Sequence, residues 1–288
     1  MDLEKTVLKH LPLRIRREIG RLKFDGRELR EIHIVMGTGS SVSIGSKKIY
    51  LGLRVTEADV EYIFESITGR ALYAHRHTLS KGYVTVEGGI RVGICGRARV
   101  ERGETVGITE VRSMLFRIPY QGECGFTEVL ADAFLKGTCG MLIVAPPSGG
   151  KTTALKGLIK HLGKTDASLH ISVVDERCEL DMDELTDIDV DVLRGYGRGE
   201  GMQIALRVMS PDIIAIDELG DEREATQILE SLGSGIRFIA TAHGRSVDDA
   251  KNRKVLKPLI EAGVFDVYAS IKEVEGNFGV EISMEEIK

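Results

Sequence analysis

The sequence predicts an α/β chain in two parts: an N-terminal α+β domain over residues 1–118 and a domain with a mostly parallel sheet over residues 119–288. Three observations predict it. In the first part, helical periodicity gives way to alternating segments separated by tight turns. From Gly125 onward, apolar runs at residues 140–144, 169–175, 213–217 and 237–241 alternate with helical patterns, as strands and crossover helices do. After the first of these runs comes Ala145-Pro146-Pro147-Ser148-Gly149-Gly150-Lys151-Thr152-Thr153, followed by a helical pattern. Strand, glycine loop, Lys-Thr and helix is the order of a phosphate-binding loop.

Composition bounds the function classes. A chain of 288 residues is long for one core. A formal net charge of −5 argues against a protein built mainly to coat nucleic acid. The four cysteines, Cys95, Cys124, Cys139 and Cys178, show no metal-clip spacing and read as free thiols of a reducing compartment. Neither a signal sequence nor an apolar run of membrane-spanning length is evident, so any membrane role is expected to be peripheral or through a partner.

In chain order, Leu3, Val7, Leu11, Ile15, Ile19 and Leu22 recur at helical spacing, with Pro12 at the start of a second helix. Lys5, Lys9, Arg14, Arg16, Arg17, Arg21 and Lys23 make the outer face basic, which suits a solvated face, or a surface for lipid headgroups, a partner or nucleic acid. Residues 29–35, 42–44 and 48–51 read as strands. Thr56 caps a helix ending near Gly69, with Asp59 at the capping-box position. Residues 82–87, 90–100 and 105–111 form a meander that turns at Gly88-Gly89 and Gly103. Arg91, Arg97 and Arg99 fall on odd positions and so on one face, which is either solvated or meets a nucleotide across a boundary. Residues 116–122, with Pro119 and Gly122, read as the connection between domains.

In the second domain, the phosphate loop comprises Pro146, Pro147, Ser148, Gly149, Gly150, Lys151, Thr152 and Thr153. Its backbone N–H groups would wrap phosphates at the N-terminus of the next helix. Lys151 would reach the β/γ-phosphates of ATP, and the Thr152 hydroxyl would hold Mg²⁺. Ala145 stands where a glycine is usual, which works only with negative φ. The run 213–217 ends in Asp217-Glu218: Asp217 is a candidate Mg²⁺ ligand, and Glu218 is placed to orient or deprotonate the attacking water. The run 169–175 ends in Asp175-Glu176-Arg177, where a carboxylate could hold a metal-bound water or support Glu218. After the run 237–241, Thr241 or His243 could sense the γ-phosphate. Between Cys178 and Gly201, Asp181, Asp183, Asp187, Asp189 and Asp191 suggest a solvated acidic loop. Beyond it, Arg198 and Arg207 are candidates for charge neutralisation at the phosphates. The tail after Asp266 reads as a β-hairpin.

With these segments in place, the sequence resembles the stage III sporulation protein AA family, which is related to type II and type IV secretion and pilus motor ATPases. The resemblance rests on residues 81–96, 146–153 and 174–177, on residues 207–212 leading into 217–220, and on residues 241–244. It implies an ATPase with a RecA-like P-loop NTPase domain behind a smaller N-terminal domain. Asp175-Glu176 resembles the family's acidic box and His243 its histidine box. The resemblance further implies a hexameric ring in which Arg91 and Arg97 reach nucleotide. It also implies a cytoplasmic position on the mother-cell face of the membrane engulfing the forespore, and membrane proteins of a sporulation channel complex as partners. Two positions depart from the family: Ser148-Gly149 replaces Gly-Ser, and Arg198 stands where a lysine is usual. The rival reading is a RecA-like motor or loader on single-stranded nucleic acid, which needs a basic groove with stacking aromatics. A chain without tryptophan, with 5% aromatics and an acidic balance, argues against it.

Overall fold

A computed structural model describes residues 3–24, 28–45, 47–69, 75–118, 124–147, 149–180, 188–274 and 277–285. The chain divides into two units, Met1–Gln121 and Gly122–Lys288.

The first unit runs α1 (Leu3–Thr6), α2 (Leu13–Gly20), β1 (Leu29–Val35), β2 (Ser41–Ile44), β3 (Lys47–Tyr50), α3 (Glu57–Thr68), α4 (Arg76–Ser80), β4 (Tyr83–Val86), β5 (Ile90–Glu101) and β6 (Glu104–Arg117). Its strands form a sheet in the order β3-β2-β1-β6-β5-β4, antiparallel at every pairing. Pro12 occupies the N-cap of α2. The capping box forms at α3: Asp59 N–H donates to Thr56 Oγ1, Thr56 N–H returns a bond to Asp59 Oδ2 at 2.7 Å, and left-handed Gly69 ends the helix. Arg14 pairs with the same Asp59, tying α2 to α3. Ile15, Ile19, Val60, Ile63, Ile32, Ile34, Val92 and Phe116 share one buried core.

Two expectations are corrected in this unit. Phe116 is no linker residue: it lies in β6, opposite Ile32 and Val92, and is fully buried. Apolar alternation therefore continues up to the Pro119 signal, and residues 119–123 lie outside the described residues. The meander is also not one regular ladder. The register between β5 and β6 shifts between Cys95 and Arg97, where a Cβ on Gly96 would come within 2.5 Å of the Thr109 carbonyl.

The second unit runs α5 (Thr127–Lys136), β7 (Met141–Ala145), α6 (Lys151–Thr165), β8 (Ile171–Asp175), β9 (Val190–Arg194), α7 (Arg198–Ile204), β10 (Ile213–Ile216), α8 (Glu222–Glu230), β11 (Arg237–His243), α9 (Val247–Lys251), α10 (Lys257–Glu261), β12 (Val267–Val274) and β13 (Asn277–Met284). The sheet order is β13-β12-β7-β11-β10-β8-β9, parallel throughout except for the terminal β12–β13 hairpin. Alternate residues of β7 enter two cores: Met141 and Ile143 pack with Leu155, Leu158 and Ile159 of α6, while Leu142 and Val144 pack with Met202, Ile228 and Leu259. A strand covered on both faces must be apolar at every position, which is why these runs read as continuous.

The acidic segment after β8 needs a third correction. Residues 181–187 lie outside the described residues, but Val190–Arg194 is a strand at the sheet edge, paired in parallel with β8. Asp189, just before it, is exposed, and Asp191 Oδ2 within it meets His170 Nε2 at 2.9 Å. All four cysteines are free. No described helix is long and apolar enough to cross a membrane.

Candidate functional site

Sheet topology gathers the chemistry. β11 lies between β7 and β10, pairing His243 with Ala145 on one side and Ala240 with Ile216 on the other. The polar residues at the carboxyl ends of all three strands therefore meet at one edge, where open α/β sheets bind ligands.

Ala145 ends β7 in extended backbone and is absent from the non-glycine residues with positive φ, so the missing glycine is harmless. Gly149 is needed for space, since a Cβ there would come within 2.9 Å of Ala145 Cβ and of the Pro146 carbonyl. Gly150, at φ +79°, is the N-cap of α6. The 15-residue α6 has no side-chain cap and no acid in its first turn, whereas α3 and α8 both carry full capping boxes. Its N–H groups and positive dipole end are thus left for an anion. Pro146 and Pro147 are exposed, Thr153 is half-buried on α6, and Ser148 lies outside the described residues.

Lys151 is buried and folded back: its ammonium donates to the carbonyls of Ala145 at 3.1 Å and Pro146 at 2.9 Å, and to His243 Nδ1 at 2.8 Å. Burial holds its pKa below the ordinary lysine value, against the pull of Asp217 and Glu218. Because Nδ1 accepts, Nε2 carries the imidazole hydrogen and donates to Glu218 Oε1 at 3.1 Å. The other Glu218 oxygen meets Arg177 at 2.5 Å. Lys151, His243, Glu218 and Arg177 thus form one chain across the site.

Thr152 Oγ1 donates to Asp217 Oδ2 at 2.9 Å, and buried Thr241 Oγ1 donates to Asp217 Oδ1 at 2.8 Å. Among the described residues, no group of three or more His, Cys, Asp or Glu side chains could hold a metal ion. The hydroxyl of Thr152 and the carboxylate of Asp217 are hard oxygen donors. They suit Mg²⁺, which commonly takes one or two protein oxygens and draws the rest from phosphate and water. The residues present fit that ion.

Asp175 sits behind this cluster. Its two oxygens accept the N–H groups of Glu179 and Leu180, each at 3.0 Å, so it pins the turn after β8. Burial pushes its carboxyl up to about 6; the two N–H bonds oppose that shift, and the charge of Asp217 adds to it. Glu176 accepts from Arg198 Nε at 2.7 Å. Arg198 is therefore held by carboxylates and does not stand free toward a phosphate. Arg91 and Arg97 belong to the first unit: the Arg91 guanidinium lies 3.8 Å from the centre of the Tyr83 ring, and Arg97 pairs with Glu110 at 3.0 Å.

Sequence reasoning missed Arg177 and the direction of Arg198. The only local signal was a base directly after Asp175-Glu176, which does not say which acid it meets.

The family model for sporulation stage III protein AA matches residues 1–284. The chain belongs to the stage III sporulation protein AA family. Stage III sporulation protein AA of Bacillus subtilis is 32% identical over 260 residues, covering 86% of this chain and 84% of that protein. Among solved structures, the pilus retraction motor PilT with bound ADP superposes with a TM-score of 0.68 at 16% identity, covering 95% of this chain and 82% of that one. The Legionella pneumophila ATPase DotB gives 0.65 at 16% identity, covering 94% and 80%. At such identity the likeness establishes the fold: this stage III sporulation protein AA family member shares the RecA-like α/β architecture of secretion and pilus ATPases.

Proposed function

We propose that this protein is a Mg²⁺-dependent ATP hydrolase of the secretion-motor type, coupled to a membrane-spanning channel complex during endospore formation. The observation that carries the reading is the 2.9 Å bond from Thr152 Oγ1 to Asp217 Oδ2. It joins the phosphate loop to the Asp-Glu strand end across the strand bearing His243, which is what a shared nucleotide site requires.

In this reading, Pro146, Pro147, Ser148, Gly149, Gly150 and Thr153 frame the phosphate loop. Lys151 leaves its two carbonyls and His243 to bind the β- and γ-phosphates. Thr152 and Asp217 hold Mg²⁺, which when bound supplies charge neutralisation on the phosphates. Glu218 accepts a hydrogen bond from the water whose oxygen attacks the γ-phosphorus, as the bond to the ADP oxygen breaks. Freed from Lys151, His243 takes up a proton on Nδ1 and donates it in a hydrogen bond to the γ-phosphate. Asp175 and Glu176 support Glu218 from the neighbouring strand end.

The same proposal includes a hexameric ring in which Arg91 and Arg97 of one copy reach nucleotide held by the next. It sets the protein in the cytoplasm on the mother-cell side of the engulfing membrane, bound to membrane proteins of the channel complex. Phosphate release from ATP tests the enzymatic core. Mg²⁺-dependent release by the wild type that is lost in Lys151→Ala supports it, and release equal in the two sinks it.

A further inference from the structure

Arg198 opens α7 with its side chain only 15% exposed, and it is held by acids and a main-chain carbonyl. Its Nε donates to Glu176 Oε2 at 2.7 Å and lies 3.4 Å from Glu224 Oε1. Its NH1 donates to the main-chain carbonyl of Glu218. Glu224 is itself fixed, accepting the N–H groups of Gly220 and Asp221 at 3.1 Å each as the capping-box acid of α8.

Glu218 has φ +65°, a left-handed backbone that a residue with a long side chain seldom adopts. Such a conformation persists only where its surroundings over-determine it, and here both sides of the residue are gripped. Its N–H donates to Thr241 Oγ1 at 2.7 Å, and its carbonyl accepts from Arg198. The next N–H, that of Leu219, bonds the Thr241 carbonyl at 2.8 Å. Relaxing Glu218 to negative φ would swing its carboxylate off His243 and Arg177.

We infer that Arg198 is a positioning residue: it locks Glu218 in the left-handed conformation that aims its carboxylate, and it links that aim to Glu176 at the neighbouring strand end. The inference rests on the proposed role of Glu218 in hydrolysis. A guanidinium suits the task because its planar set of donors serves the Glu176 carboxylate through Nε and the Glu218 carbonyl through NH1 at once, with the Glu224 carboxylate alongside.

Three variants test it: Arg198→Gln, Arg198→Lys and Arg198→Gln combined with Glu218→Gln. In Arg198→Gln, kcat should fall about tenfold to a hundredfold with KM and ATP affinity within about twofold, as expected when a reacting group is misaimed but the phosphates are still held. Arg198→Lys should recover part of the loss. In the Glu218→Gln background, Arg198→Gln should change nothing further. A rise in KM with kcat unchanged would assign Arg198 to the phosphates and overturn the inference, as would a further loss of the same size, about tenfold to a hundredfold, when Arg198→Gln is added to Glu218→Gln. A crystal structure separates this inference from the hydrolase reading. Negative φ at Glu218 in Arg198→Gln or Arg198→Lys upholds the clamp even if the wild type proves inactive, whereas φ near +65° in both overturns it.

Discussion

Lys151 Nζ and His243 Nδ1 stand 2.8 Å apart, and the far nitrogen of the same imidazole lies 3.1 Å from Glu218 Oε1. One ring thus joins the lysine at the start of α6 to the carboxylate beyond β10. A polyphosphate that draws Lys151 forward must break the first of these bonds, and the ring that held the lysine then faces the incoming phosphate. His243→Ala removes a competitor for Lys151 and a partner of Glu218 together. Its ATP affinity should stay within a few-fold of the wild type, the lost bond to the γ-phosphate offsetting the release of Lys151, with kcat lower by about tenfold or more. Equilibrium nucleotide binding and steady-state turnover measured on the same sample check this. A weaker ATP affinity with unchanged kcat would reverse the assignment.

Thr241 carries two loads through one buried hydroxyl, donating to Asp217 and accepting from Glu218 N–H. Thr241→Val keeps the shape but leaves a main-chain donor without its partner, costing about 1–3 kcal/mol of stability. It should also lower turnover, whereas Thr241→Ser retains both bonds. Denaturant unfolding alongside phosphate release distinguishes the two variants.

Asp175 gives the second unit a pH signature. Its folded carboxyl titrates at about 6 against an ordinary value of 3.8, so between these values the folded state binds the extra proton. Stability from this group is therefore greatest below the unfolded pKa and falls as pH rises toward the folded one, by on the order of 3 kcal/mol in total. The stability difference between the wild type and Asp175→Asn should decline from about pH 4 to pH 6 and flatten above it. Denaturant melts across that range measure it. A difference that grows with pH would mean the group is stabilised as the anion.

Gly140 tests the packing beneath the site. A Cβ there would lie 2.5 Å from the Phe238 carbonyl and 2.7 Å from that of Val264. Phe238 lies in β11 and Val264 shortly before β12, so neither main-chain atom can move without disturbing a strand next to β7. Gly140→Ala should cost about 1–3 kcal/mol, read as a shift of the unfolding midpoint without a change in slope.

Much of this architecture is legible in the sequence because its causes are local. Thr56 and Asp59 spell a helix start, continuous apolar runs spell doubly covered strands, and Gly149-Gly150-Lys151-Thr152 spells a loop shaped for phosphate. The edge strand Val190–Arg194 escapes notice because an edge needs only part of its length to be apolar, and acids dilute the signal. The supports of Glu218 escape for a different reason. Arg198 meets Glu176 across 22 residues and the Glu218 carbonyl across 20, distances bridged only by the sheet order. Nor does a glutamate after an apolar run announce that its backbone will be left-handed.

The central claim is that Glu218 drives hydrolysis at a site that binds ATP without it. Comparing ATP retention and phosphate release in the wild type and Glu218→Gln, with Mg²⁺ present, tests it most directly. The account predicts that the variant keeps ATP at wild-type affinity while release falls about a hundredfold to ten-thousandfold. A variant that binds ATP and releases phosphate at the wild-type rate would contradict it.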